Sequence, residues 1–294
     1  ILMKPTITVR EDLCIKCGMC VEDCPCGLYT QDAKDSVPKA QNLEICVSCG
    51  HCAAICPTDS IVHSDFPAGY LHPVNKKNQP SSEEILELLR ARRSIRVFRD
   101  KPVEKQQIEM IIDAARLAPT GHNMQATQYI VIENKKILKE LAKATTNQIS
   151  RIVALARNPL MKPVGLMMAG KQYNSILEII PFMEKDVADF KSGKDNILFN
   201  APVVVIFHAD ESTIFGDISV QLAIQNATLM AHSLGLGSFY SGLLLTTFQN
   251  NKSIGHMVNL PKNHKIYGCV AIGYPKYEYK KWIERKTPQV SWLI

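Results

Sequence analysis

The chain has 294 residues, 46% apolar and 21% charged, with a formal charge of +6. That suits one large or two smaller globular domains with a buried core. No apolar run approaches the roughly 18 residues a bilayer-spanning helix needs. The opening Ile1-Leu2-Met3-Lys4 has no apolar stretch with a small-residue cleavage site after it. A cytoplasmic protein without a membrane partner is therefore expected.

Nine of the ten cysteines fall between Cys14 and Cys56, and only Cys269 lies outside. Clustered cysteines without a secretion signal indicate metal more than disulfides. They form an internal repeat. Cys14, Cys17, Cys20, Cys24 and Pro25 recur as Cys46, Cys49, Cys52, Cys56 and Pro57, and Gly18 recurs as Gly50, always 32 positions on. Iron in a 4Fe–4S cube takes one soft thiolate per iron. Three cysteines at this spacing wrap a loop around three corners, and the fourth corner comes from elsewhere. Zinc takes four ligands, commonly from two C-x-x-C knuckles, and fits eight ligands in two triplets poorly. The pattern C-x2-C-x2-C-x3-C-P occurs twice, and over residues 4–65 the chain resembles the bacterial two-cluster ferredoxins. The resemblance implies two 4Fe–4S clusters with crossed ligands. Cys14, Cys17, Cys20 and Cys56 would hold one, and Cys46, Cys49, Cys52 and Cys24 the other. Cys26 and Cys269 read as small packing residues, and His51 as a packing or solvent-facing residue.

Phe66 to Pro80 shifts to Pro, Gly, Lys and Asn and reads as a linker. A helix opens at Ser81, with Glu84 completing a capping box and Ile85, Leu88 and Leu89 on its apolar face. A second helix carries Ile108, Ile111, Ile112 and Ala115 and stops before Pro119. A strand is expected over Tyr129–Glu133, then a short helix near Leu138 and Leu141. Residues 145–200 read as irregular helix broken by Pro159, Pro163 and Pro181. Ala201–Ala209 and Tyr267–Gly273 read as buried strands. Between them a long helix, Asp217–Leu234, ends at Gly235-Leu236-Gly237. Gln289–Ile294 is apolar and extended. The interleaving of helices and strands places the fold in α+β or α/β.

Two motifs in this second part carry chemistry. Arg92-Arg93-Ser94-Ile95-Arg96 offers arginines that match a phosphate bidentately and a serine donor. One helix later comes Pro119-Thr120-Gly121-His122-Asn123-Met124-Gln125. Taken singly, they read as a basic helix end and a polar helix-terminating turn. Together, at this separation, they resemble the opening of the nitroreductase family, and the resemblance extends over residues 82–294. It implies an α+β fold, with a nitroreductase-like sheet flanked by helices, and a bound FMN. Arg92, Arg93, Ser94 and Arg96 would hold the FMN phosphate. Pro119, Thr120, Gly121, Asn123 and Gln125 would reach the flavin at a dimer interface, and Ser241 and Gly242 would line its redox edge. A basic tail segment would return to the phosphate. Lys281 and Arg285 are named for it among Lys280, Lys281, Arg285 and Lys286, between which the sequence does not choose. The Met-containing stretch Met161, Met167, Met168, Tyr173, Phe182 and Met183 reads as helix packing, and by resemblance as cover for the flavin and a loosely selective pocket. Gly235 and Gly237 are followed by Tyr240 instead of glycine and follow a helix, so no Rossmann fingerprint is present.

The expected organisation is a two-cluster domain over 1–65, a linker over 66–80 and an FMN domain over 81–294. Bound anionic cofactors account for the basic excess better than nucleic acid does. The resulting reading is a flavin-dependent oxidoreductase. It would accept low-potential electrons from an external ferredoxin-like or NAD(P)H donor and reduce a small-molecule acceptor such as a nitroaromatic or quinone. A rival reading is an electron-transfer module serving a protein partner without small-molecule turnover. A homodimer is expected from the loop, from a long-helix face of Leu222, Ala223, Asn226, Leu229, Met230 and Ser233, and from the apolar tail.

Overall fold

The computed structural model describes residues 4–67, 69–170 and 173–293, with all their side chains except those of Lys162, Met168, Ala169 and Lys252. Ile1, Leu2, Met3, Ile294 and the Met168 side chain thus lie outside the described residues. The backbone forms two compact units. One comprises Ile1–Pro80 with Gly121–Met124, the other Ser81–Thr120 with Gln125–Ile294. No described helix is long and apolar enough to cross a membrane.

The first unit is small and repeats itself. Strand β1 (Ile7–Val9) leads to helix α1 (Met19–Asp23), then β2 (Tyr29–Thr30), β3 (Lys39–Ala40), α2 (His51–Ile55) and β4 (Ile61–His63). β1 pairs antiparallel with β4, and β2 with β3. Each short helix starts after a glycine in the left-handed region, Gly18 at φ 76° and Gly50 at φ 75°. Only glycine adopts that conformation without a Cβ penalty. The core consists of Ile7, Leu28, Tyr29, Ala53 and Ile61 with Cys20 and Cys52. So few apolar residues stabilise a domain of this size weakly, which is where metal ligation contributes to folding.

In the second unit β5 (Gln128–Ile132), β6 (Val203–Asp210), β7 (Gly237–Tyr240) and β8 (His264–Gly273) form one sheet of order β5-β6-β8-β7, every pair antiparallel. Successive side chains of β6 point to opposite faces, and both faces are covered. Val204 and Ile206 join a core with Leu138, Leu141 and Leu244, from α5 (Lys135–Arg157) and α9 (Gly242–Asn250). Val203, Val205 and Phe207 join another with Ile108, Ile111, Val220 and Ala223, from α4 (Lys105–Arg116) and α8 (Gly216–Ser233). Double coverage is why β6 reads as an unbroken apolar run. The α+β expectation holds.

Helix α3 (Ser82–Ala91) opens with the capping box of Ser81 and Glu84. Its apolar face is not core, however: Ile85, Leu86 and Leu89 are all exposed. The helix near Leu138 and Leu141 is not short but 23 residues long. Pro163 sits in the first turn of α6 (Lys162–Ala169), where a missing N–H costs nothing, and Pro181 lies inside α7 (Tyr173–Lys191). In α6 and α7, Tyr173 is buried and Met183 packs on the core, whereas Met167 and Phe182 are exposed. The expected α8 interface face also needs correction. Ala223 is buried and Asn226 donates to the Ala114 carbonyl of α4, so much of that face is internal. The exposed apolar residues of α8 are Ile218 and Leu222.

Candidate metal centres and anion site

The first unit sorts its cysteines into two crossed quartets. Cys14, Cys17, Cys20 and Cys56 line one small cavity. Cys24, Cys46, Cys49 and Cys52, with Cys26, line another. Each quartet takes three cysteines from one repeat and the fourth from the other, because α1 and α2 pack together and carry each Cys-Pro end to the opposite triplet. Among the described residues no three of His, Cys, Asp or Glu close on a single ion. The sulfurs ring a volume instead, which is the arrangement a four-iron cube requires.

Donors already point at these sulfurs. The backbone N–H groups of Lys16 and Ser48, at matching repeat positions, each donate at 3.4 Å to Cys14 and Cys46. Leu28 N donates to Cys24 Sγ (3.5 Å) and Ser60 N to Cys56 Sγ (3.3 Å), again matched. His63 Nδ1 accepts from Asp65 N (3.2 Å), which leaves the proton on Nε2, 3.7 Å from Cys46 Sγ. The Tyr29 hydroxyl is buried without a hydrogen-bond partner. Burial, and then the neighbouring Cys52 thiol, push its pKa up. An orphaned donor beside Cys52 fits an anionic metal–sulfur group there. Burial pushes the Cys20 thiol up to about 11 and raises Cys52 as well. Burial also opposes ionisation of Cys56, but donors from Ser60 and Thr58 outweigh it and hold that thiol below its ordinary value. These residues therefore fit two 4Fe–4S cubes. His51 lies beside Asp23 at 3.5 Å and is largely exposed. Cys269 is fully buried in β8.

The loop Gly121–Met124 belongs to the first unit. Asn123 Nδ2 donates to the Ser48 carbonyl (2.7 Å) and lies 3.5 Å from that of Val47, both between Cys46 and Cys49. Thr120 and Gln125 stay with the second unit, where Thr120 Oγ1 accepts from Gln125 N at 3.0 Å. His122, Asn123 and Gln125 all have positive φ. Such clustered backbone strain in non-glycine residues marks functional loops.

In the second unit the basic run forms a strap along β7. Ile95 N donates to Ser238 O (3.0 Å), and Ser94 bridges Ser238 in parallel. The segment after β8 is tied to the same strap: Lys276 N donates to Val97 O, Arg99 N to Tyr274 O, and Arg99 Nε to Pro275 O. A hollow of about 520 Å³ results, lined among others by Arg93, His232, Tyr279, Lys280, Lys281 and Trp282. Arg93 and Lys281 thus come together, Arg93 lying over the Tyr279 ring. Arg92 stands near His232, whose pKa falls through burial first and that cation second. Arg96 faces elsewhere, over Phe239 and Phe199. Arg285 is exposed in the tail. Ser241 is buried, its N–H donating to Cys269 O (2.8 Å). It precedes α9 without a side-chain cap bond, so the first-turn N–H groups from Gly242 onward have no intrahelical partner. Those groups, the strap cations and Lys281 fit a flavin ring edge and a phosphate in chemistry.

The sequence reading missed the side-chain donors around the sulfurs, Ser60, Thr58, His63 and Tyr29. The one signal for Ser60 was its place four residues after Cys56, where the first repeat has Leu28 four after Cys24.

A family model described as the nitroreductase family matches residues 89–274, and one described as a 4Fe-4S dicluster domain matches residues 7–60. A protein of Archaeoglobus fulgidus, provisionally named an NADH dehydrogenase/NAD(P)H nitroreductase, is 27% identical over 67% of this chain and 88% of its own length. The FMN reductase [NAD(P)H] of Bacillus subtilis is 27% identical over 65% of this chain and 66% of its own. The solved nitroreductase of Bacteroides fragilis with bound FMN shares the fold at a TM-score of 0.50 and 24% identity, over 71% of this chain and 98% of that one. Matched over more than half its length, the chain belongs to the nitroreductase family of flavin-dependent oxidoreductases and carries a 4Fe-4S dicluster domain at its N-terminal end.

Proposed function

We propose that this chain takes electrons through two 4Fe–4S clusters and uses an FMN to reduce an electron-poor organic acceptor such as a nitroaromatic or quinone. The observation that carries the reading is the sorting of eight cysteines into two crossed quartets, each around its own cavity, in a chain with a nitroreductase-family second part. The relative named as an FMN reductase and the family structure with bound FMN support the choice of flavin. When bound, the clusters supply one-electron exchange and the flavin supplies two-electron transfer to an organic acceptor.

The chain's own residues bind and orient. Cys14, Cys17, Cys20 and Cys56 hold one cluster, and Cys46, Cys49, Cys52 and Cys24 the other. Arg92, Arg93, Ser94 and Lys281 supply charge and donors for the phosphate, with Arg285 as a further tail candidate, and Arg96 would join them only by turning from its place over Phe199 and Phe239. Pro119, Thr120, Gly121 and Gln125 shape the flavin loop, while Asn123 fixes the carbonyls between Cys46 and Cys49. The backbone N–H groups from Gly242 onward, which follow Ser241 at the start of α9, would be the donors for the redox edge of the flavin ring. Residues 1–65 serve as the cluster domain and 81–294 as the flavin domain.

A homodimer belongs to the same proposal. Ile85 and Leu89 of α3, Ile218 and Leu222 of α8, and Trp292 and Leu293 of the tail are apolar and exposed in the single chain, as surfaces awaiting a second copy would be. The electron donor is an external ferredoxin-like protein or NAD(P)H.

Anaerobically purified protein tests the proposal. It should contain about eight irons per chain and release FMN. After reduction by a ferredoxin or NAD(P)H it should turn over nitroaromatics or quinones. Stoichiometric zinc without iron, or FAD in place of FMN, would overturn it. Full loading with transfer only to a protein acceptor would make the chain an electron carrier.

A further inference from the structure

The internal repeat serves as its own control. Two backbone donors are conserved between the halves, Lys16 N with Ser48 N and Leu28 N with Ser60 N, each aimed at the matching cysteine sulfur. The side chains at the second of these pairs differ. Around Cys56, Ser60 Oγ lies 3.1 Å and Thr58 Oγ1 3.8 Å from the sulfur. Around Cys24 the matching positions hold Leu28 and Cys26, which offer no hydroxyl. Ser60 is buried, and its hydroxyl has no other partner among the described hydrogen bonds.

We infer that Ser60 sets the reduction potential of the cluster held by Cys14, Cys17, Cys20 and Cys56, through a hydrogen bond from its hydroxyl to the Cys56 sulfur. The inference rests on the proposed cluster assignment. A thiolate bound to iron carries no proton, so the hydroxyl must be the donor in this contact. Reduction adds negative charge that is shared with the cysteine sulfurs, and a donor aimed at one of them favours the reduced form, raising the potential. Thr58, at the longer distance, contributes less. The other quartet lacks this hydroxyl and has the His63 Nε2 contact to Cys46 instead. The two clusters are thereby tuned by different side chains on a common backbone frame, which makes Ser60 a positioning residue for electrons rather than a ligand.

The test is potentiometric titration of the intact holoprotein with low-potential mediators, followed by electron paramagnetic resonance, for wild type, Ser60→Ala and Ser60→Thr. Iron content is measured on each sample. Ser60→Ala should keep about eight irons and lower the midpoint of one cluster, with the other unmoved. Ser60→Thr, which keeps the hydroxyl, should restore the wild-type midpoint. The affected cluster is identified by comparison with Cys24→Ala, which removes a ligand from the other quartet. Unmoved midpoints in a fully loaded Ser60→Ala would overturn the inference, as would a shift in the other cluster alone. Loss of iron on Ser60→Ala would overturn it too, because Ser60 would then be a structural support. A wild-type protein with no iron–sulfur signal would instead sink the cluster assignment, a separate result.

Discussion

Gly237 is where the basic strap meets the sheet, and a single methyl group there tests whether that contact matters. A Cβ at Gly237 would lie 2.7 Å from Cβ, Cγ1 and Cγ2 of Ile95. Ordinary contact begins near 3.4 Å, so the strap must retreat by about 0.7 Å. The obstacle includes Ile95 Cβ, which no rotamer change can remove. Overpacking of this kind costs about 1–3 kcal/mol. With a urea m-value of about 2–3 kcal/mol/M for a domain this size, Gly237→Ala should lower the unfolding midpoint by about 0.3–1.5 M. Displacement also strains Ile95 N–Ser238 O and moves Arg93 and Ser94 away from β7, so flavin affinity should fall along with stability. Gly216→Ala is the matched control. Its Cβ would approach Thr213 only to 3.3 Å at the first turn of α8, and helical Ala is favoured over Gly, so little change is expected. Gly237→Ala with an unmoved midpoint and undiminished flavin affinity would refute the role given to this contact.

The other predictions address separate parts of the chain. Cys20→Ala and Cys24→Ala, four residues apart, should each damage a different cluster's paramagnetic signal; loss of the same signal in both would refute the crossed quartets. Arg96→Ala should weaken FMN binding by about 1.5–3 kcal/mol if its charge meets the phosphate, read by fluorescence titration, and unchanged affinity would leave Arg96 as a partner of Phe199 and Phe239 only. Deleting residues 289–294 should lower dimer stability and FMN retention together in sedimentation and flavin-release measurements; a tightly flavinated monomer would exclude the dimer. His208 is 2% exposed, and burial, followed by the neighbouring His264, lowers its pKa to about 4. The folded chain refuses a proton that the unfolded chain accepts, so stability is full above about pH 6.5 and falls by up to about 3 kcal/mol toward pH 4. His208→Phe should flatten that slope in urea titrations at pH 7 and 5.

Some of the molecule was legible because local chemistry dictates it. The Ser81–Glu84 capping box is satisfied within four residues, and Gly18 and Gly50 are needed for the turns into α1 and α2. Cysteine spacing carried the two triplets, and their crossing came only with the resemblance to two-cluster ferredoxins. Periodicity placed α4, since Ile108, Ile111 and Ala115 fall on one face and are buried there. It misled for α3, whose apolar residues show the same pattern yet are exposed. An amphipathic pattern shows that a face seeks burial and says nothing about which chain provides it. Proline marked a true break at Pro159, just after the end of α5, and misled at Pro181, which lies inside α7. A breaker argument assumes an interior position, and at Pro163 the chain has only begun its helix.

What remained illegible depends on contacts between distant positions. Asn123 reads as part of a flavin loop, and nothing in the sequence shows that its amide grips the Ser48 carbonyl 75 positions earlier in the chain. The return of the tail to the strap, which brings both Lys280 and Lys281 to the hollow beside Arg93, depends on an encounter between Arg99 and Pro275 across 176 positions. Ser60 is the sharpest case. As a residue type it is unremarkable, and no spacing rule selects it. Its meaning comes from superposing the two halves of the repeat, where matched backbone donors leave the hydroxyls of Ser60 and Thr58 without counterparts, Ser60 being the nearer to sulfur. A duplicated motif thus announces two similar sites, whereas the differences that would make them do different work lie at positions the motif does not name.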